Sequence, residues 1–323
     1  MTKKVMTFAD NSTHTVHYEN SDDNTVVKFD VPDTENANKK QTITSHSKTD
    51  SFGRKVFDEL QIGRGFVSRR FSYMPGAITD EHKKQHLIKS TATTQLVSHI
   101  ALSDGRTISY EYDDEERIIK VTDTIDGAVS YTYDALGQLE TETKDGVTTK
   151  CEYDNYGNIT AKVKGVLDEN GNFVEESKIA YEYGDENWRD LLTSYNGQSI
   201  TYDAQGNPTN YLGHTLTWEK GRQLKTFGSN SYKYNNEGIR IQKTTSSEIH
   251  NYVLDGTNIV KEIVTDTANG PMYTNEYLYD IDGTVCGLKH NGVAYYFYKN
   301  LQGDVIAITD DASAVVARYT YDA

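Results

Sequence analysis

The chain has 323 residues, 36% of them apolar when Tyr is counted, and carries 33 Lys+Arg against 48 Asp+Glu, a formal net charge of −15. So acidic a chain argues against a nucleic-acid binder, because phosphate binding needs a basic face; its apolar share is also below the roughly 45–50% of ordinary globular domains. No run of 18 apolar residues occurs, so no membrane-spanning helix is predicted, and the opening MTKKVMTFADNSTHTV lacks the apolar stretch of a signal peptide.

Residues 1–100 read as irregular strands. VHYENSDDNTVVKFD (16–30) alternates apolar and polar residues about a Ser/Asp/Asn turn, and DTENANKKQ (33–41) is polar and reads as a loop. Asp50 to Gly53 makes an Asp-x-x-Gly turn. GRGFVSRRF (63–71) interleaves Arg with Phe, a pattern that can stack on bases; in this acidic chain it reads as an outward strand with Arg64, Arg69 and Arg70 on the rim. His82 and His86 have the i, i+4 spacing of a helical zinc site. The Glu expected after the first His is Lys83, however, and the following IKSTATTQLVSHI reads as strand, so no metal is assigned. His14 and His17 fall on opposite faces of a strand, and NSDDN (20–24) reads as a solvated turn rather than a calcium loop.

From residue 101 a repeat takes over, and periodicity of this kind decides the architecture. Of 24 tyrosines, all but Tyr18 and Tyr73 lie beyond residue 100. They form pairs: Tyr110/Tyr112, Tyr131/Tyr133, Tyr181/Tyr183, Tyr232/Tyr234, Tyr277/Tyr279, Tyr296/Tyr298 and Tyr319/Tyr321. Degenerate copies are Cys151/Tyr153, Ile200/Tyr202, Leu216/Trp218 and Tyr252/Leu254, and successive starts are 16 to 30 residues apart. Asp134 to Gly137, Asp154 to Gly157, Asp203 to Gly206 and Asp280 to Gly283 follow such pairs. Asp opens a type I turn by accepting a backbone N–H, and Gly supplies the left-handed residue that closes a bulged hairpin. Asp104-Gly105, Asp126-Gly127, Asp145-Gly146, Asn170-Gly171, Asn196-Gly197, Asp255-Gly256 and Asn291-Gly292 read as two-residue type I′ turns.

Between turns the period is two. Val147, Thr149, Cys151 and Tyr153 share one face, as do Ile159, Ala161 and Val163 on the next run. The fold class is therefore all-β: a repeat protein made of a curved or spiral antiparallel sheet of consecutive hairpins. Tyrosines one repeat apart are expected to lie side by side, contributing about 0.2–1 kcal/mol per cross-strand pair. Such a sheet suits curving round a space better than packing on another sheet. Cys151 and Cys286 read as buried or half-buried side chains, not a disulfide framework. Most Asp have a backbone task in a turn, and no nucleophile-elbow, P-loop or dinucleotide motif occurs, so neither catalysis nor a cofactor is assigned.

YTYDALGQLETET (131–143) is close to the consensus of the Rhs, or YD-repeat, family, and YYFYKNLQGDVIAITDDASAVVARYTYDA (295–323) resembles the segment in which Rhs proteins finish their repeats. The resemblance implies residues 1–100 as degenerate repeats of one sheet and 101–323 as a regular segment of a hollow β-shell. It implies a structural, non-enzymatic role: enclosing a C-terminal cargo polypeptide of a secreted toxin, at the extracellular or cell-surface side. Its partners would be the cargo or other segments of the same protein, with self-association through open sheet edges. The family's self-cleavage motif contains Asp-Pro, which does not occur here. Carbohydrate binding or adhesion by exposed tyrosine faces is the alternative. The residues singled out as architectural are Tyr110, Tyr112, Tyr131, Tyr133, Tyr153, Tyr181, Tyr183, Tyr202, Tyr232, Tyr234, Tyr277 and Tyr279, with Asp134, Gly137, Asp154, Gly157, Asp203, Gly206, Asp280 and Gly283.

Overall fold

A computed structural model describes residues 2–7, 13–21, 23–32, 40–62, 65–75, 93–268, 270–279 and 283–321. Every regular element among them is a β-strand, in two antiparallel sheets whose strands follow strict chain order. By contacts the chain divides into two units, Met1–Asp126 with Asn275–Ala323, and Gly127–Thr274.

The first unit contains β1 (Thr2–Thr7), β2 (Thr13–Ser21), β3 (Asn24–Pro32), β4 (Lys40–Thr49), β5 (Lys55–Ile62), β6 (Gly65–Pro75), β7 (Thr93–Leu102), β8 (Thr107–Tyr112) and β9 (Ile118–Asp123). The second contains β10 (Gly127–Tyr133), β11 (Leu139–Lys144), β12 (Val147–Tyr153), β13 (Ile159–Leu167), β14 (Phe173–Glu182), β15 (Ser194–Tyr195), β16 (Gln198–Ser199) and β17 (Thr201–Tyr202). It continues with β18 (Pro208–Tyr211), β19 (His214–Glu219), β20 (Gln223–Phe227), β21 (Asn230–Tyr234), β22 (Arg240–Thr244), β23 (Glu248–Asp255) and β24 (Asn258–Asp266). β25 (Gly270–Tyr279) spans the boundary, and β26 (Val285–His290), β27 (Val293–Lys299), β28 (Val305–Thr309) and β29 (Val315–Arg318) complete the first unit.

A β-bulge recurs where the repeat Tyr leaves its strand: the register shifts at Glu111/Tyr112, Thr132/Tyr133, Glu152/Tyr153, Thr201/Tyr202, Lys233/Tyr234 and Leu278/Tyr279. Each bulge adds local twist to its strand pair. It also corrects the simple alternation read from sequence. Tyr153 pairs with Ile159, but Glu152 pairs with Ala161 and Lys150 with Val163. The extra residue, Thr160, flips the strand, so Ala161 and Val163 lie on the opposite face from Cys151 and Tyr153.

In the first unit the sheet does pack on another layer, contrary to the expectation of an unfilled wall. Ile43, Leu60, Val67, Ile100, Ile108 and Tyr110 from β4–β8 bury against Cys286, Tyr296, Tyr298, Ile306 and Ala307 from β26–β28. Tyr296 and Tyr298 are 0% exposed. Gly65 marks how close the layers come: a Cβ there would sit 2.9 Å from the Asp311 Cα and 2.6 Å from the Tyr296 hydroxyl. The reason is composition. The repeats meeting here carry Ile, Leu, Val and Ala where those of β10–β12 carry Thr, Glu and Lys.

Candidate functional site

The repeat turns are held by local hydrogen bonds. Asp134 Oδ1 accepts the N–H of Leu136 at 2.8 Å and of Gln138 at 2.9 Å. Asp154 does the same for Tyr156 and Asn158, and Asp203 for Gln205 and Asn207. Gly137, Gly157 and Gly206 close their turns at φ of 81°, 87° and 79°, and Gly283 has a φ of 77°. Asp280 lies outside the described residues, as do His82, His86 and Arg64. The fifth residue is a second tie: Asn158 and Asn207 each donate Nδ2–H to the other oxygen of their turn Asp at 2.9 Å.

The same turn occurs where the sequence reading did not place it. Asp168, Asn235 and Asn300 open turns closed by Gly171, Gly238 and Gly303. Asn in place of Asp was the signal for two of them. Asp113 and Asp310 open turns closed by Glu116 and Ser313, at φ of 65° and 63°, and nothing local announces these. Of the seven Asp-Gly or Asn-Gly pairs, Asp145-Gly146, Asn196-Gly197 and Asn291-Gly292 have both residues at positive φ, as type I′ requires. Gly105 and Gly171 instead close longer turns, their N–H groups donating to the carbonyls of Leu102 and Asp168. At 255–256 the two-residue loop is Gly256-Thr257, since Asp255 pairs with Asn258.

These φ values set a pair of opposite outcomes. A Cβ on Gly157 would touch nothing within 4 Å, so Gly157→Val tests backbone strain alone and should lower stability by about 1–3 kcal/mol. Glu116→Gly and Ser313→Gly relieve the same strain and should each raise it by about 1 kcal/mol. Urea midpoints measure both; a shift of the same sign in all three variants would refute the turn assignment.

Every tyrosine singled out above is buried or half-buried. Tyr181 and Tyr195 meet edge to face at 5.3 Å. What recurs from repeat to repeat is a hydroxyl-to-carbonyl hydrogen bond that sequence reasoning missed. Tyr73 donates to Lys55 O, Tyr153 to Leu139 O, Tyr183 to Ile159 O and Tyr321 to Val305 O, at 2.7, 2.8, 3.2 and 2.9 Å. Trp218 Nε1–H does likewise to Pro208 O at 2.7 Å. Each acceptor stands two residues after a turn Gly, so each aromatic ties one repeat to the exit of the turn before it. The coupling is between neighbours, as in other one-dimensional repeat arrays.

Burial makes Tyr73, Tyr153 and Tyr183 hard to ionise. It pushes Tyr110 up to about 12 from 10.0, and Tyr153 likewise to about 12, with Cys151 adding to the effect. A raised folded-state value means stability is intact below pH 10 and lost as pH climbs toward 12. On the acid side, the hydrogen bonds from Asn158, Asn207 and Arg54 hold Asp154, Asp203 and Asp50 below the usual carboxylate range. Their contribution is present above that range and is lost as pH falls through it. Absorbance at 295 nm and circular dichroism, followed together, should show late tyrosine ionisation coincident with unfolding. Free titration of all tyrosines near 10 with the β signal intact would contradict this.

Of the arginines of 63–71 expected on an outward rim, Arg70 is exposed, whereas Arg69 is half-buried in an ion pair. Arg69 makes a bidentate ion pair with Asp58, Nε–Oδ1 2.9 Å and Nη2–Oδ2 2.6 Å, and Arg70 lies over the Phe57 ring at 4.9 Å. The cross-strand pairs Asp58–Arg69 and Phe57–Arg70 of β5 and β6 bring them together. Arg106, with 1% of its side chain exposed, bonds Asp123 and Asp126. Among the described residues no group of three or more His, Cys, Asp or Glu is arranged to hold a metal ion.

A family model described as RHS Repeat matches residues 117–150, from Arg117 through the Asp134 turn to Lys150. The tRNA3(Ser)-specific nuclease WapA of Bacillus spizizenii is 35% identical over 201 residues, and the tRNA nuclease WapA of Bacillus subtilis 33% over 201. The chain carries the RHS, or YD, repeat. The match takes in 59% of this YD-repeat chain but only 8% of the length of either relative. Among solved structures, the TcdB2-TccC3-Cdc42 crystal structure aligns with 97% of the YD-repeat chain at TM-score 0.65 and 14% identity, over 18% of that chain. TcdB2-TccC3 without its hypervariable C-terminal region gives 0.63, and the Photorhabdus luminescens Tc holotoxin pore 0.52 over 20% of that chain. The fold is that of the Tc toxin YD shell.

Proposed function

We propose that this chain is a wall segment of a β-shell that encloses a polypeptide cargo within a secreted or surface-delivered Rhs-type toxin. The observation that carries the reading is the strict chain order of both sheets, with recurrent bulges and aromatic side chains that tie repeats to the turn before them. Such a wall grows by adding identical hairpins, and its span is set by repeat number rather than by a core. Residues 1–100 act as degenerate repeats of that wall and 101–323 as its regular part. The role needs no reaction of the wall itself; the nuclease activity for which the relatives are named would reside in the cargo. The wall's work is exclusion of water, proteases and the producing cell.

Limited proteolysis of the full-length polypeptide tests this. The cargo should resist digestion while the shell is folded and be cut rapidly once mild denaturant opens it. Cargo digested at the same rate with and without the shell would reject the reading.

A further inference from the structure

The sequence contains four Asn-Gly steps, at Asn170, Asn196, Asn269 and Asn291. In such a step the Gly nitrogen can attack the Asn side-chain carbonyl, because the following residue has no Cβ to shield it. Asn269 lies outside the described residues, and the other three sit in turns of very different support. Asn170 tops the β13–β14 hairpin of seven paired positions, and the Gly171 nitrogen is engaged, its N–H donating to Asp168 O at 2.9 Å. Asn291 tops β26–β27, a ladder of four pairs that includes Tyr296, 0% exposed, and Lys289, 1% exposed. Asn196 tops β15–β16, a ladder of two pairs, Ser194–Ser199 and Tyr195–Gln198. Two more pairs, Tyr181–Tyr195 and Glu182–Ser194, join β15 to β14, and the Asn196 N–H donates to Ala180 O at 2.7 Å. Asn196 and Gly197 are both exposed, and a Cβ placed on Gly197 would meet nothing within 4 Å.

We propose that in the folded chain Asn196 is a site of spontaneous covalent modification. The Gly197 nitrogen attacks Asn196 Cγ, the side-chain amide leaves as ammonia and takes the Gly197 amide proton with it, and a cyclic imide forms. Water then opens the imide to aspartate or isoaspartate. Ring closure requires Asn196 to leave the type I′ conformation, φ 48° followed by 77°, so its rate follows the opening of the hairpin. A ladder of two pairs opens more readily than one of four or seven. Isoaspartate routes the backbone through an extra carbon, which a two-residue turn does not accommodate. The β15–β16 pairing, at the end of the 16-stranded sheet, is then lost.

Incubation of the full chain at mildly alkaline pH, followed by peptide mapping by mass spectrometry, tests this. Asn196 should convert at least about fivefold faster than Asn170 or Asn291 in the folded chain, and the three rates should converge in concentrated urea, where no hairpin protects any of them. In the aged chain amide hydrogen exchange should quicken over residues 180–202. It should not in Asn196→Gly, which accepts the positive φ of the turn and has no side-chain amide to lose. Equal rates at the three sites in the folded chain, the same ratios with and without urea, or unchanged exchange over 180–202 after conversion would each overturn the proposal.

Discussion

Tyr298→Ala is expected to lower the unfolding free energy by about 3–5 kcal/mol, the range for deleting a fully buried aromatic. Tyr298 is 0% exposed, and its hydroxyl meets Ser103 Oγ at 2.8 Å across 195 residues of sequence. Tyr110 makes the companion contact, its hydroxyl accepting the Leu301 N–H at 3.0 Å. Removing the ring empties the layer between β4–β8 and β26–β28. Tyr298→Phe keeps the ring and loses only the hydroxyl, so it should cost about 1 kcal/mol. Urea unfolding followed by Tyr fluorescence reads both. If Ala cost no more than Phe, the two layers would not be packed as described. Hydrogen exchange should quicken in β26–β28 in the Ala variant, because that layer has lost its anchor.

Arg106→Met should be nearly as damaging, at about 3–5 kcal/mol, for a different reason. Arg106 reaches both Asp123, at 2.6 Å, and Asp126. Burial opposes its charge, yet the two carboxylates offset that and leave the guanidinium above its ordinary range. Met replaces the packing but strands two carboxylates beside an apolar stem. Asp123 cannot simply turn to solvent, since its Oδ1 also accepts the N–H groups of Ile125 and Asp126. Adding Asp126→Asn to Arg106→Met should therefore recover part of the loss. Melting temperatures of the single and double variants decide it; equal destabilisation in both would mean that charge is not the cause.

The aromatic ties explain why a chain poor in aliphatic residues can hold a long sheet. Tyr153, Tyr183 and Trp218 bring apolar area and one hydrogen bond each to the junction between successive repeats. The gain per junction is modest, but it is repeated, so stability scales with repeat number.

What the sequence by itself determined was the repeat and the turns whose Asp and Gly stand within four residues of each other. The Asp-x-x-Gly turns at 134, 154 and 203 were legible because Asp accepts its own turn's N–H groups and Gly alone is unstrained at the closing φ. The strands, their order and the repeat followed from those turns. Even locally, Glu116 and Ser313 escaped notice, because strain leaves no mark in composition. Tertiary structure alone decided three things. The bulge at Thr160 turned Ala161 and Val163 to the other face, since register depends on the partner strand. Asp58 drew Arg69 off the rim, because an ion pair needs the neighbouring strand in place. And β26–β28 closed over β4–β8 through contacts between residues almost two hundred positions apart, where chain connectivity carries no signal and only complementary apolar surface selects the partner.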